Sequence, residues 1–186
     1  MSANGEEIKY TLLTENGENK KSSRGFTGHG TATYENGDVY EGDFLDGIRS
    51  GNGIYRYAAS GNRYEGGWDE NVKSGIGKQL YKGKAGGEYH GYWENGRRHG
   101  EGVFTYTNGD VYSGWWKYGN KQGFGTYLFK ETGMKMSGDW ENGALTSGKW
   151  VYPNGLYFEG DFENNKPKGA GVWYFKNGNT LHGTFE

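Results

Sequence analysis

The chain has 186 residues, of which 37 are glycine and 17% are aromatic, and its formal net charge is −2. A glycine content this high without a Gly-X-Y period excludes collagen, and the aromatic content argues against simple disorder. The near-neutral charge favours neither nucleic acid nor an anionic membrane, and the absence of cysteine excludes disulfides and thiolate metal sites.

The N-terminal region contains an irregular version of a sequence repeat that is clearer downstream. Residues 1–7 are expected to be disordered, with no signal peptide, and no apolar run reaches the length of a membrane span. Residues 8–39 are predicted to form a degenerate capping repeat, because terminal repeats are usually atypical. In it Tyr10 is aligned with Tyr89 of the clearer copy, and the polar, basic stretch 18–25 is predicted to protrude as a loop.

A repeat of about 23 residues organises residues 40–186. Its opening residues recur every 22 to 25 positions, at residues 40, 64, 89, 112, 136 and 158, with a partial copy at 181. The clearest copy is Tyr89–Val111. It predicts one strand over Tyr89–Trp93, a polar bend over Glu94–Gly100, and a return strand over Gly102–Tyr106 that ends at an Asn-Gly turn.

Alternation within each strand sorts the side chains onto two faces. One face collects Tyr, Trp and Phe separated by glycines, and the other is mainly charged with an apolar stripe. Only 32% of residues are hydrophobic, so we expect rings packed on bare glycine backbone instead of a thick aliphatic core. The predicted fold is all-β: a single-layer, twisted antiparallel meander of about seven stacked β-hairpins.

The openings of these units carry a family resemblance. YEGDF, YEGGW, YHGYW, YSGWW, MSGDW and FEGDF, each followed by Gly-x-Gly or a near equivalent, resemble MORN repeats (membrane occupation and recognition nexus) over about residues 8–186. The second half is most similar to the MORN-repeat subunits of the ciliary radial spoke head, at Gly125–Gly133, Trp140–Gly143 and Asn165–Gly171. Only Arg98-His99-Gly100 keeps the family's His-Gly in the main bend.

The residues do not predict an enzyme. The four histidines are scattered without metal-ligand spacing, and the aspartates recur at one repeat position, which is typical of a solvated face. We therefore expect no catalytic residue, no metal and no cofactor. Small basic clusters fall short of the four to eight cations of a membrane anchor, so membrane binding and nucleic-acid binding are not expected.

The resemblance implies a structural scaffold in the cytoplasm, in the axoneme of a cilium or flagellum. The expected partners are other radial spoke head proteins, a second MORN protein or another copy of this chain. Binding is expected through the sheet's open first and last edges and through an aromatic groove formed by Tyr64, Trp68, Tyr89, Trp93, Tyr112, Trp116, Trp140, Phe158 and Trp173.

Two alternatives stay open at this point. One is a MORN adaptor at a membrane or cytoskeleton that binds lipid or a signalling enzyme. The other is a carbohydrate- or choline-binding module, since glycine-aromatic repeats also build such sites.

Overall fold

A computed structural model describes residues 10–186, and every regular element in that range is a β-strand. The disorder predicted for residues 1–7 lies outside the described residues. The chain forms two compact units that meet in sequence at Gly96 and Arg97. The first contains β1 Tyr10–Thr14, β2 Asn19–Lys20, β3 Gly28–Tyr34, β4 Val39–Leu45, β5 Ile48–Arg56, β6 Arg63–Asp69, β7 Val72–Tyr81 and β8 Gly87–Glu94. The second contains β9 Arg97–Tyr106, β10 Val111–Lys117, β11 Asn120–Leu128, β12 Lys135–Glu141, β13 Ala144–Val151, β14 Tyr157–Glu163, β15 Lys166–Tyr174 and β16 Thr180–Phe185.

Strand order within each unit follows the chain. In the first unit β3 to β8 pair in sequence, and in the second β9 to β16 do the same; all the pairs are antiparallel. The predicted single-layer antiparallel meander is confirmed. Each repeat contributes one hairpin of two strands. A lone hairpin buries too little surface to be stable, so the hairpins pair side by side.

The two ends of the hairpins use different turns. At one end both central residues have positive φ, as at Asn95 (48°) and Gly96 (74°), which is the type I′ turn that matches strand twist. The predicted bend over Glu94–Gly100 is therefore wrong in length, because the return strand already begins at Arg97. At the other end only the glycine of Asn108-Gly109 has positive φ, and the Asn108 side chain accepts the Asp110 N–H at 3.0 Å.

A β-bulge follows the type I′ end in most repeats. In the β10–β11 pair the register shifts between Gly114 and Trp116, and Gly123 on the return strand has φ of 66°. Glycine is favoured there because side chains rarely adopt this conformation. Gly100, with φ of 60°, occupies the same place, so the family's His-Gly lies within a strand.

The N-terminal cap differs from prediction in three respects. The buried opening position is occupied by Leu12 and not by Tyr10. The Leu12 side chain packs over Gly30, where an added Cβ would lie 2.9 Å from it. The stretch 18–25 is not wholly a protruding loop: it contains the short strand β2, and Ser23 is buried, donating its N–H to the Tyr10 hydroxyl at 2.7 Å and its hydroxyl to the Gly47 carbonyl at 2.6 Å. β2 pairs with β1 at Leu12 and Leu13, so the outermost strand at this end is β2 and not the strand that begins at Tyr10.

Candidate functional site: the aromatic face

The predicted groove residues form the buried layer of the sheet. Eight of the nine are at most 6% exposed, and Trp173 alone is half-buried. The eight are Tyr64, Trp68, Tyr89, Trp93, Tyr112, Trp116, Trp140 and Phe158. These rings are committed to the packing of the sheet itself, and their role in partner binding stays a prediction.

Neighbouring repeats interlock through this layer. The Tyr64 ring lies over Gly77, where an added Cβ would come within 2.3 Å of the tyrosine hydroxyl oxygen. Tyr64 donates that hydroxyl to the Gly67 carbonyl at 2.9 Å, and Trp93 of the next repeat donates its indole N–H to the Gly77 carbonyl at 3.2 Å. The two rings meet edge to face at 5.2 Å, a favoured aromatic geometry. Each glycine therefore receives a ring from its own repeat and an N–H from the following one.

Burial keeps the tyrosine hydroxyls protonated. It raises the pKa of Tyr40, Tyr64 and Tyr112 above that of free tyrosine. Each of these hydroxyls therefore remains a donor to the carbonyl three residues ahead, at 2.9 to 3.1 Å. The tyrosines of this layer therefore serve packing and hydrogen bonding, and none of these three is ionised to act as a base.

A second layer of rings stands on the return strands and is partly open to solvent. Tyr55 and Tyr57 lie 4.5 Å apart in the first unit, and Tyr127 and Phe129 lie 4.7 Å apart in the second. All four are half-buried, as is Trp173. The prediction of the groove was based on the repeat motif, which lies on the opening strand. The rings of that strand are buried, and the half-buried rings lie outside the motif.

A row of cations covers the rings and was missed by sequence reasoning. In the first unit the Arg49 guanidinium lies 4.6 Å from the Trp68 ring centre, and the Lys73 ammonium lies 4.7 Å from that of Tyr64. In the second unit Arg98 lies 4.3 Å from Trp116, and Lys121 lies 4.3 Å from Trp140. These distances are typical of cation–π contacts. The signal in the sequence is a basic residue two positions after the type I′ turn, recurring at positions 49, 73, 98 and 121.

The row ends where the pattern changes. The next two equivalent positions hold Leu145, which is fully buried, and Pro167. The repeat that contains Leu145 also opens with Met136 in place of tyrosine, and Met136 is 2% exposed. In this repeat both of these buried positions therefore hold neutral side chains.

The lysines of the row are held in an unfavourable environment for charge. Burial, with the Arg49 charge added, lowers the pKa of Lys73 to about 8, and burial with the Arg98 charge does the same for Lys121. Within residues 10–186 neither lysine, nor Arg49, has a carboxylate within 4.0 Å. Lys73 donates to the Gln79 side chain, and Arg49 donates to the Asn71 carbonyl at 3.0 Å.

Two carboxylates on the aromatic side are already satisfied in turns. Asp110 accepts the Tyr127 hydroxyl at 2.8 Å and the Lys130 N–H at 2.9 Å. Burial alone would raise the pKa of Asp110, but the hydrogen bonds from Lys130, Tyr127 and Asn108 outweigh burial and lower that pKa below the usual value. Asp38 makes the equivalent bonds to Tyr55 and to the Ala58 N–H. Both aspartates therefore lock turns.

The opposite face is balanced in charge. Its cations pair with carboxylates, as in Arg56–Glu41 at 3.0 Å and Lys149–Glu159 at 3.3 Å. Such half-exposed pairs contribute little to stability, but they neutralise this face.

No metal centre is assembled in the part of the chain that the structure describes. No three His, Asp or Glu side chains there lie close enough to hold a metal ion, and no helix could span a membrane. His29 contacts Asp43 at 2.9 Å, but both side chains are about half exposed. The rings that a choline-binding cage would require are already covered by the chain's own cations, as Trp68 is by Arg49, Tyr64 by Lys73 and Trp140 by Lys121.

Comparison with known proteins places the repeats in a family. A family model described as "MORN repeat" matches residues 23–39, 40–61, 64–83, 89–111, 112–132 and 158–180. Over 147 residues, or 75% of this chain, the sequence is 30% identical to "Alsin" of Rattus norvegicus. The matched region is 9% of the length of alsin.

Proposed function

We propose, from the premise that the chain belongs to the MORN repeat family, that it is a structural scaffold subunit of the axonemal radial spoke head. In this role it binds neighbouring spoke proteins through its aromatic face and its last strand, and so supports ciliary motility. The partners are other radial spoke head proteins, a second MORN protein or another copy of this chain.

The observation that carries the scaffold function is the single-layer sheet. A single layer leaves both faces available, and repeat sheets of this kind serve as extended binding surfaces. Half-buried rings and cations cover one face of each unit. Tyr and Trp are enriched at interface hot spots. The spoke assignment is supported by the resemblance of the second half to radial spoke MORN subunits.

The last strand offers a second contact. β16, at Thr180–Phe185, pairs with β15 on one side, and within the described residues no strand pairs with its other side. Unpaired backbone groups at a sheet edge can accept a partner strand. We propose that this edge joins a neighbouring subunit.

Localisation tests the spoke assignment. A tagged copy expressed in a ciliated cell should line the axonemes and remain there after detergent extraction of the membrane. Diffuse or cortical signal would remove the spoke function while leaving a general scaffold function intact.

A second candidate is an adaptor at a membrane or the cytoskeleton. The row of cations on the aromatic face favours it, because anionic lipid headgroups are attracted to such rows. Sedimentation with phosphoinositide-containing liposomes at physiological salt tests it: the adaptor function requires the protein in the pellet, and the scaffold function alone leaves it in the supernatant.

A further inference from the structure

We propose that the open side of β16 binds β16 of a second copy of this chain, antiparallel and centred on Gly183, so that each strand completes the other's repeat. This inference rests on the proposed scaffold function and names the partner of the edge described there. β16 pairs with β15 on one side, and within residues 10–186 no strand covers its other side.

The first argument is a glycine that the packing within one chain does not require. Five opening strands carry a glycine at this position, and at each an added Cβ would lie 2.4 to 2.6 Å from the Cα of the glycine on the return strand. They are Gly42, Gly66, Gly114, Gly138 and Gly160. At Gly183 the nearest atom to an added Cβ is a Phe185 ring carbon at 3.7 Å. The bare backbone at Gly183 therefore fits a second strand that the described residues do not supply.

The second argument is an exposed apolar residue at a position that is otherwise buried. Leu181 opens the partial repeat and is 52% exposed, whereas the residues that open the six preceding repeats are at most 2% exposed. Leucine suits this position when a glycine lies beneath it, because Leu12 is fully buried over Gly30 of the paired strand. Leu181 therefore lacks a glycine-bearing strand of the same kind.

The third argument is the direction of the backbone hydrogen-bonding groups. The Phe175 N–H donates to the Asn179 carbonyl at 2.9 Å, so Asn179 directs its backbone groups toward β15. Because this direction alternates along a strand, Thr180, His182 and Thr184 direct their N–H and carbonyl groups to the open side. An edge of this kind favours pairing with another strand.

These three features together select the register. In the complete repeats the opening ring lies over the glycine opposite the residue two positions further along, as Tyr112 lies over Gly125, the partner of Gly114. Two copies of β16 related by a two-fold axis at Gly183 reproduce this arrangement, since Leu181 of each copy would lie over Gly183 of the other. A strand of this sequence is therefore complementary to itself, and a second copy is the partner that fits it.

The oligomeric state tests the proposal. We expect sedimentation equilibrium of the full chain at pH 7 to show a reversible equilibrium between monomer and dimer, with a limiting mass twice that of the 20.8 kDa chain. Gly183→Ala and Leu181→Asn should each raise the dissociation constant of the dimer by about tenfold or more, because each dimer contains the change twice. Below that dissociation constant Gly183→Ala should unfold like the wild type, since its Cβ meets open space within one chain.

Matched variants separate the edge from general changes of the surface. Thr184→Pro removes an N–H that points to the open side and should weaken the dimer, whereas Thr184→Val keeps this N–H and should not. Leu45→Asn is the control for Leu181→Asn, because Leu45 is 59% exposed and lies in the first unit. Thermal melts establish that all the variants are folded.

Cross-linking tests the register. The chain has no cysteine, so introduced thiols are the only ones present. In the proposed register His182 of each copy is opposite Thr184 of the other, and residues that exchange backbone hydrogen bonds lie about 5.5 Å apart at Cα, within the reach of a disulfide. A mixture of His182→Cys with a size-tagged Thr184→Cys should therefore form a disulfide between the two variants under mild oxidation. Either variant alone should not, because its two thiols would be two residues out of register and beyond about 7 Å.

Several outcomes overturn the proposal: a protein that is monomeric at every concentration, a dimer that Gly183→Ala and Leu181→Asn leave unchanged, or disulfides within each single variant. A monomer that binds a synthetic peptide with the sequence of β15 assigns the edge to a return strand of a different chain instead. A monomer that lines the axonemes defeats this inference alone, whereas the proposed dimer with diffuse localisation defeats the spoke assignment alone.

Discussion

In the Tyr112 repeat the buried opening position holds a tyrosine, and the return strand carries Lys121 against three aromatic rings. In the next repeat the same positions hold Met136 and Leu145, both buried. Both repeats form an antiparallel pair with a register shift before the tryptophan, but the bulge of the second is one residue shorter: Gly125 and Lys121 in the first correspond to Gly148 and Leu145 in the second. The second repeat also lies between two segments that the family model matches.

The difference separates two roles that one sequence motif combines. Both repeats form a hairpin within the same sheet, so buried volume at the opening position and bare backbone at the glycines are sufficient for strand pairing. The phenol and the cation add polar chemistry that the neighbouring repeat does without. We infer that stability resides in the ring-on-glycine layer and not in the cations that cover it.

The largest expected effect comes from removing a ring of the buried layer. Trp140 is 2% exposed, meets Tyr112 edge to face at 5.2 Å and donates its indole N–H to the Gly125 carbonyl at 3.0 Å. Trp140→Ala should lower the free energy of unfolding by about 3–5 kcal/mol, as for other buried large-to-small changes. Urea denaturation followed by circular dichroism measures it.

Trp115→Ala is the matched control because Trp115 is 50% exposed in the same pair of repeats. It should change the free energy of unfolding by less than about 0.5 kcal/mol, as do most surface substitutions. Equal losses in the two variants would contradict the division between a packing layer and an exposed surface.

The next effect comes from filling the space under a ring. A Cβ on Gly125 would lie 2.3 Å from the Tyr112 hydroxyl oxygen and 2.6 Å from the ring. Gly125→Ala should therefore cost about 1–3 kcal/mol through overpacking, measured by the same denaturation.

Gly183→Ala is its control, because there the nearest atom is a Phe185 ring carbon at 3.7 Å. Adding Tyr112→Met to Gly125→Ala replaces the ring with the side chain that opens the Met136 repeat and should recover part of the loss. If the double variant is as unstable as the sum of the two single changes, the ring is not the cause of the glycine requirement.

Much of the fold followed from the sequence, and the binding surface did not. The period, the all-β class and the two faces were readable because strand alternation and Gly-x-Gly spacing are local. The bend at Glu94–Gly100 was drawn too long because a type I′ turn and a bulge glycine look alike in sequence. The cap was misaligned because Leu12 replaces tyrosine over Gly30.

The site was harder because exposure is a property of the assembled sheet. Trp93 and Tyr112 resemble binding aromatics in sequence, yet neighbouring repeats bury them. Lys73 and Lys121 resemble solvated turn residues, yet the next repeat's tryptophan covers each. Contacts between repeats decide both outcomes, and a single repeat does not contain them.

Replacing the cation with its neutral counterpart in the next repeat tests what the cation costs. Lys121→Leu introduces the residue found at Leu145, removes a half-buried charge that faces Arg98, and should raise the free energy of unfolding by about 1 kcal/mol. Lys149→Leu, on the opposite face, should give no such increase, because Lys149 is half exposed and paired with Glu159. A loss of stability in Lys121→Leu would mean that the cation–π contacts outweigh the cost of burying the charge.

The smallest effect is the pH dependence of the two lysines. Their folded-state pKa of about 8 lies below the unfolded value of 10.5. Between those values the unfolded state binds more protons, so this contribution makes the protein more stable as pH rises from 8 toward 10. Below pH 8 both states are protonated, and the full cost of burying the charges remains.

Lys73 faces Arg49, Tyr57 and Tyr64, and Lys121 faces Arg98, Tyr112 and Tyr127. The tyrosines have raised pKa values, so their effect has the opposite sign and begins only near pH 10, where unfolded tyrosine ionises. Denaturation at pH 7, 8.5 and 9.5 should therefore show the gap between wild type and Lys121→Leu narrowing as the lysine loses its proton. A gap that stays constant across this range would show that burying the Lys121 charge carries no cost in stability.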